Sequence, residues 1–135
     1  MDKKATILVN IVTPTSLLVS CQASMVIIPG EEGEFGVLPR HMLLISNLSA
    51  GIVKITKNGD ILRYFVDGGI AQVTETAVNI LTEFSVNLAV EQKNIIIEKI
   101  NNYKAELEKA NDQLYMDLIC SNIARYEAML RYIRQ

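Results

Sequence analysis

Histidine occurs once in this 135-residue chain, as His41, and cysteine only twice, as Cys21 and Cys120. Two thiols so far apart supply neither a zinc spacing nor a disulfide framework, and they read as reduced, partly buried side chains. A catalytic triad would have to use His41, and no nucleophile-elbow motif accompanies it. A Walker lysine loop is missing as well. The sequence therefore offers no constellation for catalysis and none for a metal. Excess positive charge is also lacking: 13 Lys and Arg against 15 Asp and Glu leave a net charge of −2, which excludes the basic field of a nucleic-acid binder. No run approaches the roughly 18 apolar residues of a membrane-crossing helix. The opening MDKKATILVNIV is followed by Pro14 and by no small-residue cleavage site, so it reads as a first strand and not a secretory signal.

Glycine and proline are absent from the last 66 residues; all seven glycines and all three prolines lie in residues 1 to 69. That shift marks a change from many turns to long uninterrupted elements. Short β-rich runs recur at 6–12, 16–28, 43–48, 52–57, 61–66, 70–74 and 77–83. Val53 and Ile55 alternate with Lys54 and Thr56, while Leu62, Tyr64 and Val66 alternate on the next run. Asn58-Gly59 between them is a preferred two-residue hairpin turn, because both positions accept positive φ. Regular short strands with turn signals predict an antiparallel sandwich or barrel over residues 1–86.

From residue 87 to 135 the apolar period lengthens to between three and four. Ile96, Ile100, Tyr103, Leu107 and Ala110 form one seam; Met116, Ile119, Ile123, Tyr126, Leu130 and Ile133 form another. Asn111 or Asp112 between them can cap the second helix. The pattern predicts an antiparallel helical hairpin, so the fold class is β plus α with two domains. Arg131 and Arg134 follow the last acid, Glu127. They suit the negative end of the helix dipole or an acidic partner, and the sequence leaves both readings open.

Residues 29–41, PGEEGEFGVLPRH, are the most distinctive stretch. Gly30, Gly33 and Gly36 recur every third residue among Glu31, Glu32 and Glu34, between Pro29 and Pro39. Such spacing predicts repeated positive-φ positions in a tightly shaped surface loop rather than a strand. Its acids are either merely solvated or part of an interface.

This loop, with MLLISNLSAGIVKI at 42–55 and FVDGGIAQVTETAVNILTE at 65–83, resembles the epsilon subunit of F-type ATP synthases, called delta in mitochondria. The resemblance runs from about residue 5 to 86, and beyond residue 88 it rests on architecture. It implies a non-catalytic subunit of the central stalk, with a ten-stranded β-sandwich and a helical hairpin. The implied partners are the gamma subunit, the membrane c-ring and the alpha/beta catalytic head. The implied location is peripheral, on the cytoplasmic face of a bacterial inner membrane. Glu34 and His41 occupy positions where family members touch the ring. The hairpin implies restraint of ATP hydrolysis, with Arg125, Arg131 and Arg134 as contacts to the head. It is either a permanent support or a mobile arm.

One departure concerns nucleotide. Family members that bind ATP carry an apolar-Asp-x-x-Arg-Ala signature near the first C-terminal helix, whereas residues 88–100 here read LAVEQKNIIIEKI. Without the paired acid and guanidinium, the ribose acceptor and the bidentate phosphate partner are missing. No nucleotide site and no cofactor are expected. The alternative function is a free-standing β-sandwich adaptor that dimerises through its hairpin.

Overall fold

The computed structural model describes residues 5–88 and 93–133. The chain divides into two compact units, one ending at Asn87 and one beginning at Leu88. Among the described residues the first holds eight strands: β1 Ile7–Thr13, β2 Ser16–Ala23, β3 Met25–Gly30, β4 Gly33–Val37, β5 Leu44–Lys57, β6 Asp60–Val73, β7 Ala77–Leu81 and β8 Ser85–Asn87. Among the described residues the second holds two helices: α1 Lys93–Lys109 and α2 Gln113–Ile133.

β5 and β6, each 14 residues long, join the two layers of the sandwich. Their predicted shorter runs are continuous strands that change partner midway. β6 pairs β8 over Tyr64–Val66 and β7 over Ile70–Val73. The inward set on β6 is Leu62, Tyr64 and Val66 before the crossover, and Ala71 and Val73 after it. That switch of parity breaks the two-residue period of a strand. Gly68 (φ 78°) and Gly69 (φ 120°) absorb it. A Cβ on Gly69 would run into the Leu81 carbonyl, so only glycine fits this crossing.

The β5–β6 hairpin forms as its sequence predicts. Lys57 opposes Asp60, and Asn58 and Gly59 take φ 52° and 84°, the double positive pair of a type I′ turn. Val53 and Ile55 are fully buried, as are Ile7, Val9 and Ile11 of β1 and Val78 and Ile80 of β7. Each such side chain contributes about 1.5–3 kcal/mol of apolar burial.

Two expectations are corrected here. The sandwich is not wholly antiparallel, because β1 and β7 run parallel, with Val9 opposite Val78 and Ile11 opposite Ile80. Parallel partners need a long connection, and these strands are separated by most of the domain. No local pattern announces such a pair. The glycine stretch is not a loop, either. Pro29 and Gly30 end β3, Glu31 and Glu32 turn, and Gly33–Val37 is β4, with Pro29 opposite Glu34. Only Gly33 of its three glycines has positive φ, at 126°. Gly30 serves close packing instead: an added Cβ would lie 2.9 Å from both the Gly33 oxygen and the Phe35 ring.

In the hairpin, Ile96, Ile100, Ile119 and Ile123 are buried on the predicted seams. Tyr103 stacks on Tyr126 with ring centroids 6.0 Å apart. Lys99 Nζ sits 5.3 Å from the Tyr126 centroid, a cation–π contact across the pair. Asp112, not Asn111, caps α2: Tyr115 N donates to its Oδ2 at 3.2 Å, and Met116 N to its carbonyl at 2.9 Å. Asp112→Ala should therefore cost the hairpin about 1 kcal/mol, read as a lower unfolding midpoint in a helix-specific circular-dichroism melt. An unchanged midpoint would show that the cap is dispensable.

Candidate functional site

The acidic turn, β4 and the start of β5 form one end of the sandwich. Glu31, Glu32 and Glu34 line an open cleft with Phe35, Leu44, Ile45 and Asn47. The Glu31 amide donates to the Asn47 carbonyl at 3.0 Å, which ties the turn to β5. Glu34 is exposed, and its Oε2 lies 4.0 Å from Lys54 Nζ. A pair so long and so exposed contributes little to stability, which leaves Glu34 available to an incoming donor.

His41 follows the corner after β4. Its Nδ1 lies 2.8 Å from the Met42 carbonyl oxygen; with the proton on Nδ1 it donates there, and Nε2 is then an acceptor. His41 does not line the cleft that holds Glu34. Sequence reasoning missed the apolar residues here. Met42 is 80% exposed, Leu43 76% and Ile45 72%. In sequence Leu43 and Ile45 read only as part of the β-rich run at 43–48, because periodicity cannot reveal which face of a run lacks a covering layer.

The cationic candidates lie on α2. Arg131 is exposed in its last turn and lines a shallow surface cavity with Ala124, Glu127 and Leu130. Arg125 is half-buried. Six residues apart, the two point about 120° from each other around the helix, so they do not share a face. Arg134 lies outside the described residues. Nearer the hairpin turn, the Tyr115 hydroxyl donates to Glu106 Oε2 at 3.2 Å. The Glu106 charge, and then this hydrogen bond, raise the phenol above its usual pKa.

Cys120 is exposed rather than partly buried as expected; Cys21 is half-buried, and both are free. Among the described residues no three His, Cys, Asp or Glu side chains come together to hold a metal. No described helix is long and apolar enough to cross a membrane.

Residues 6–87 match the family model for the β-sandwich domain of the ATP synthase delta/epsilon chain. The ATP synthase epsilon chain of Rickettsia typhi is 38% identical over 107 residues, covering 77% of this chain and 94% of that one. The epsilon chain of Maricaulis maris is 31% identical over 120 residues, covering 89% and 90%. A chain in the Euglena gracilis mitochondrial ATP synthase structure of OSCP, F1 and c-ring superposes with a TM-score of 0.66, covering 96% of this chain and 82% of that one; its 21% identity shows a shared fold. A sandwich matched throughout, with relatives aligned into the hairpin, places the chain in the ATP synthase delta/epsilon family, as an epsilon-type stalk subunit with no catalytic site of its own.

Proposed function

We propose that this chain couples rotation of the membrane ring to the catalytic head by holding the foot of the gamma subunit in its sandwich domain. The match of residues 6–87 to the delta/epsilon sandwich carries this reading. The mechanics agree with it. A joint that transmits torque must be stiff, since a compliant one stores elastic energy locally. Two apolar layers closed by the long shared strands β5 and β6 form a close-packed, poorly compressible interior.

In this reading the end bearing Glu34 and His41 rests on the ring. The hairpin forms a second domain that restrains ATP hydrolysis, with Arg125, Arg131 and Arg134 meeting acidic segments of the alpha/beta head. No ATP is bound, because LAVEQKNIIIEKI supplies neither the acid nor the arginine of a nucleotide site. The protein works peripherally, at the cytoplasmic face of a bacterial inner membrane.

Mixing the tagged chain with a cognate gamma subunit at physiological salt should give one size-exclusion peak of one-to-one stoichiometry. Separate elution of two folded proteins would overturn the gamma assignment. Self-association of the chain alone would favour the dimerising adaptor.

A further inference from the structure

Asn58 is the one asparagine in the chain that is followed by glycine; the others precede Ile, Leu, Tyr, Asn or Asp. The pair is distinctive chemically as well as conformationally. The backbone nitrogen of the next residue can attack an asparagine side-chain amide, and glycine approaches it with no Cβ in the way. Asn58 and Gly59 are both exposed. The Gly59 amide and the Asn58 side chain make no hydrogen bond with any described residue. With Thr6, Gln22 and Ser24 the two residues line a small polar cavity, so water reaches the reacting atoms on that side too. Asn10 and Asn79 offer the contrast. They lie opposite each other in paired strands, half-buried, and Asn10 Nδ2 donates to Asn79 Oδ1 at 2.9 Å.

The turn has already made the costly adjustment. Ring closure needs the Gly59 nitrogen to eclipse the Asn58 Cβ, which in an L residue happens at a ψ of about −120°, the value of the first central residue of a type II′ turn. Types I′ and II′ share a positive φ at that residue and differ by a flip of the central peptide; both match the twist of the flanking strands. Asn58, at φ 52°, therefore keeps its φ through the flip. Gly59, at φ 84°, can follow because glycine takes either sign, and Lys57 can stay opposite Asp60. We propose that Asn58 is a self-modifying site, which deamidates without an enzyme because the β5–β6 turn makes the folded chain competent. The Gly59 nitrogen gives its proton to water or hydroxide and forms a bond to Asn58 Cγ. The Cγ–Nδ2 bond breaks, and Nδ2 takes up a proton and leaves as ammonia. Water then opens the five-membered imide at either carbonyl, giving aspartate or isoaspartate. No electrons are exchanged, and water is the only co-reactant. Either product adds a negative charge beside exposed Asp60, and isoaspartate also lengthens the backbone of a two-residue loop by a carbon.

The test is to hold the full chain, folded, at mildly alkaline pH and to follow the mass gain of deamidation peptide by peptide. Asn58 should react at least about tenfold faster than Asn10 or Asn79, whose side chains are tied to each other. The same chain unfolded in urea at the same pH is the reference. Because the turn presets φ, Asn58 should react at least as fast in the folded chain as in the unfolded one. An isoaspartyl methyltransferase should label the aged chain. Asn58→Gly, which accepts both positive φ values of the turn, should abolish the label and the mass gain at this peptide while its circular dichroism shows the sandwich still folded. A slower reaction at Asn58 in the folded chain than in urea overturns the proposal, since the turn would then protect the pair. So does a rate at Asn58 no greater than at Asn10 or Asn79, or a methyl label that survives Asn58→Gly.

Discussion

Replacing Gly69 with alanine will cost the sandwich about 3–5 kcal/mol, enough to leave much of the protein unfolded at 37 °C, since native domains hold only about 5–15 kcal/mol in total. Two penalties coincide at this residue. Its φ of 120° lies outside the range of residues with a Cβ, and the added carbon would strike the Leu81 backbone across the β6–β7 pair. Neither strand can retreat easily. β7 is clamped on its other side by β1, and β6 is bound along its full length to β5. Gly36→Ala is the matched control. Its Cβ would meet nothing within 4 Å, so its effect should stay within about 0.5 kcal/mol. Urea unfolding of both variants measures the contrast. Equal midpoints would show that the crossover tolerates a side chain and that its glycines are incidental.

Removing the hairpin by ending the chain after Asn87 should raise ATP hydrolysis by the reconstituted catalytic head about fivefold or more, the lower range of coupling between distant sites. The expectation follows from the proposed restraint by α2 and its arginines. Truncation is a fair test because the core of the sandwich is drawn entirely from its own strands, from Ile7 to Ile80. It should leave co-elution with gamma intact. Charge reversal at Arg131, exposed in the last turn of α2, should reproduce part of the increase. Hydrolysis equal to that of the full-length subunit would remove the inhibitory role while leaving the stalk role standing.

The sandwich and the hairpin differ in how well their sequence reports their structure. In the hairpin, local pattern is enough. Apolar residues at steps of three and four, a capping aspartate and the absence of glycine and proline identify both helices and the buried seams. Interactions between residues three and four apart decide a helix. The β5–β6 hairpin is legible for the same reason, since Asn58-Gly59 and the alternation around it are local. The glycine-rich stretch misleads because composition does not fix conformation. Strand β4 runs through it, and Gly36 has neither positive φ nor a close neighbour. Gly30 is there because the Phe35 ring needs the space, a demand set across the β3–β4 pair.

The candidate site divides in the same way. Its titratable members, Glu34 and His41, were nameable from type and resemblance. Arg40 was not, because its distinction is a backbone φ of 68° at a residue whose amide meets the Glu75 carbonyl 35 positions away. The exposure of Met42 and Leu43 was also hidden, since an apolar run looks alike whether it is covered or bare.

What the sequence determined alone is the division into a β part and an α part, the helical seams, the tightest turn and the lack of catalytic equipment. Each is a matter of residue type or of spacing within a few positions. Only the tertiary structure decided the parallel pairing of β1 with β7, the crossover at Gly68-Gly69, the burial of one apolar run against the exposure of another, and the strain at Arg40. Each depends on which distant segment lies alongside. A chain commits to such neighbours through the summed burial of many weak contacts, and no short stretch of residues records that sum.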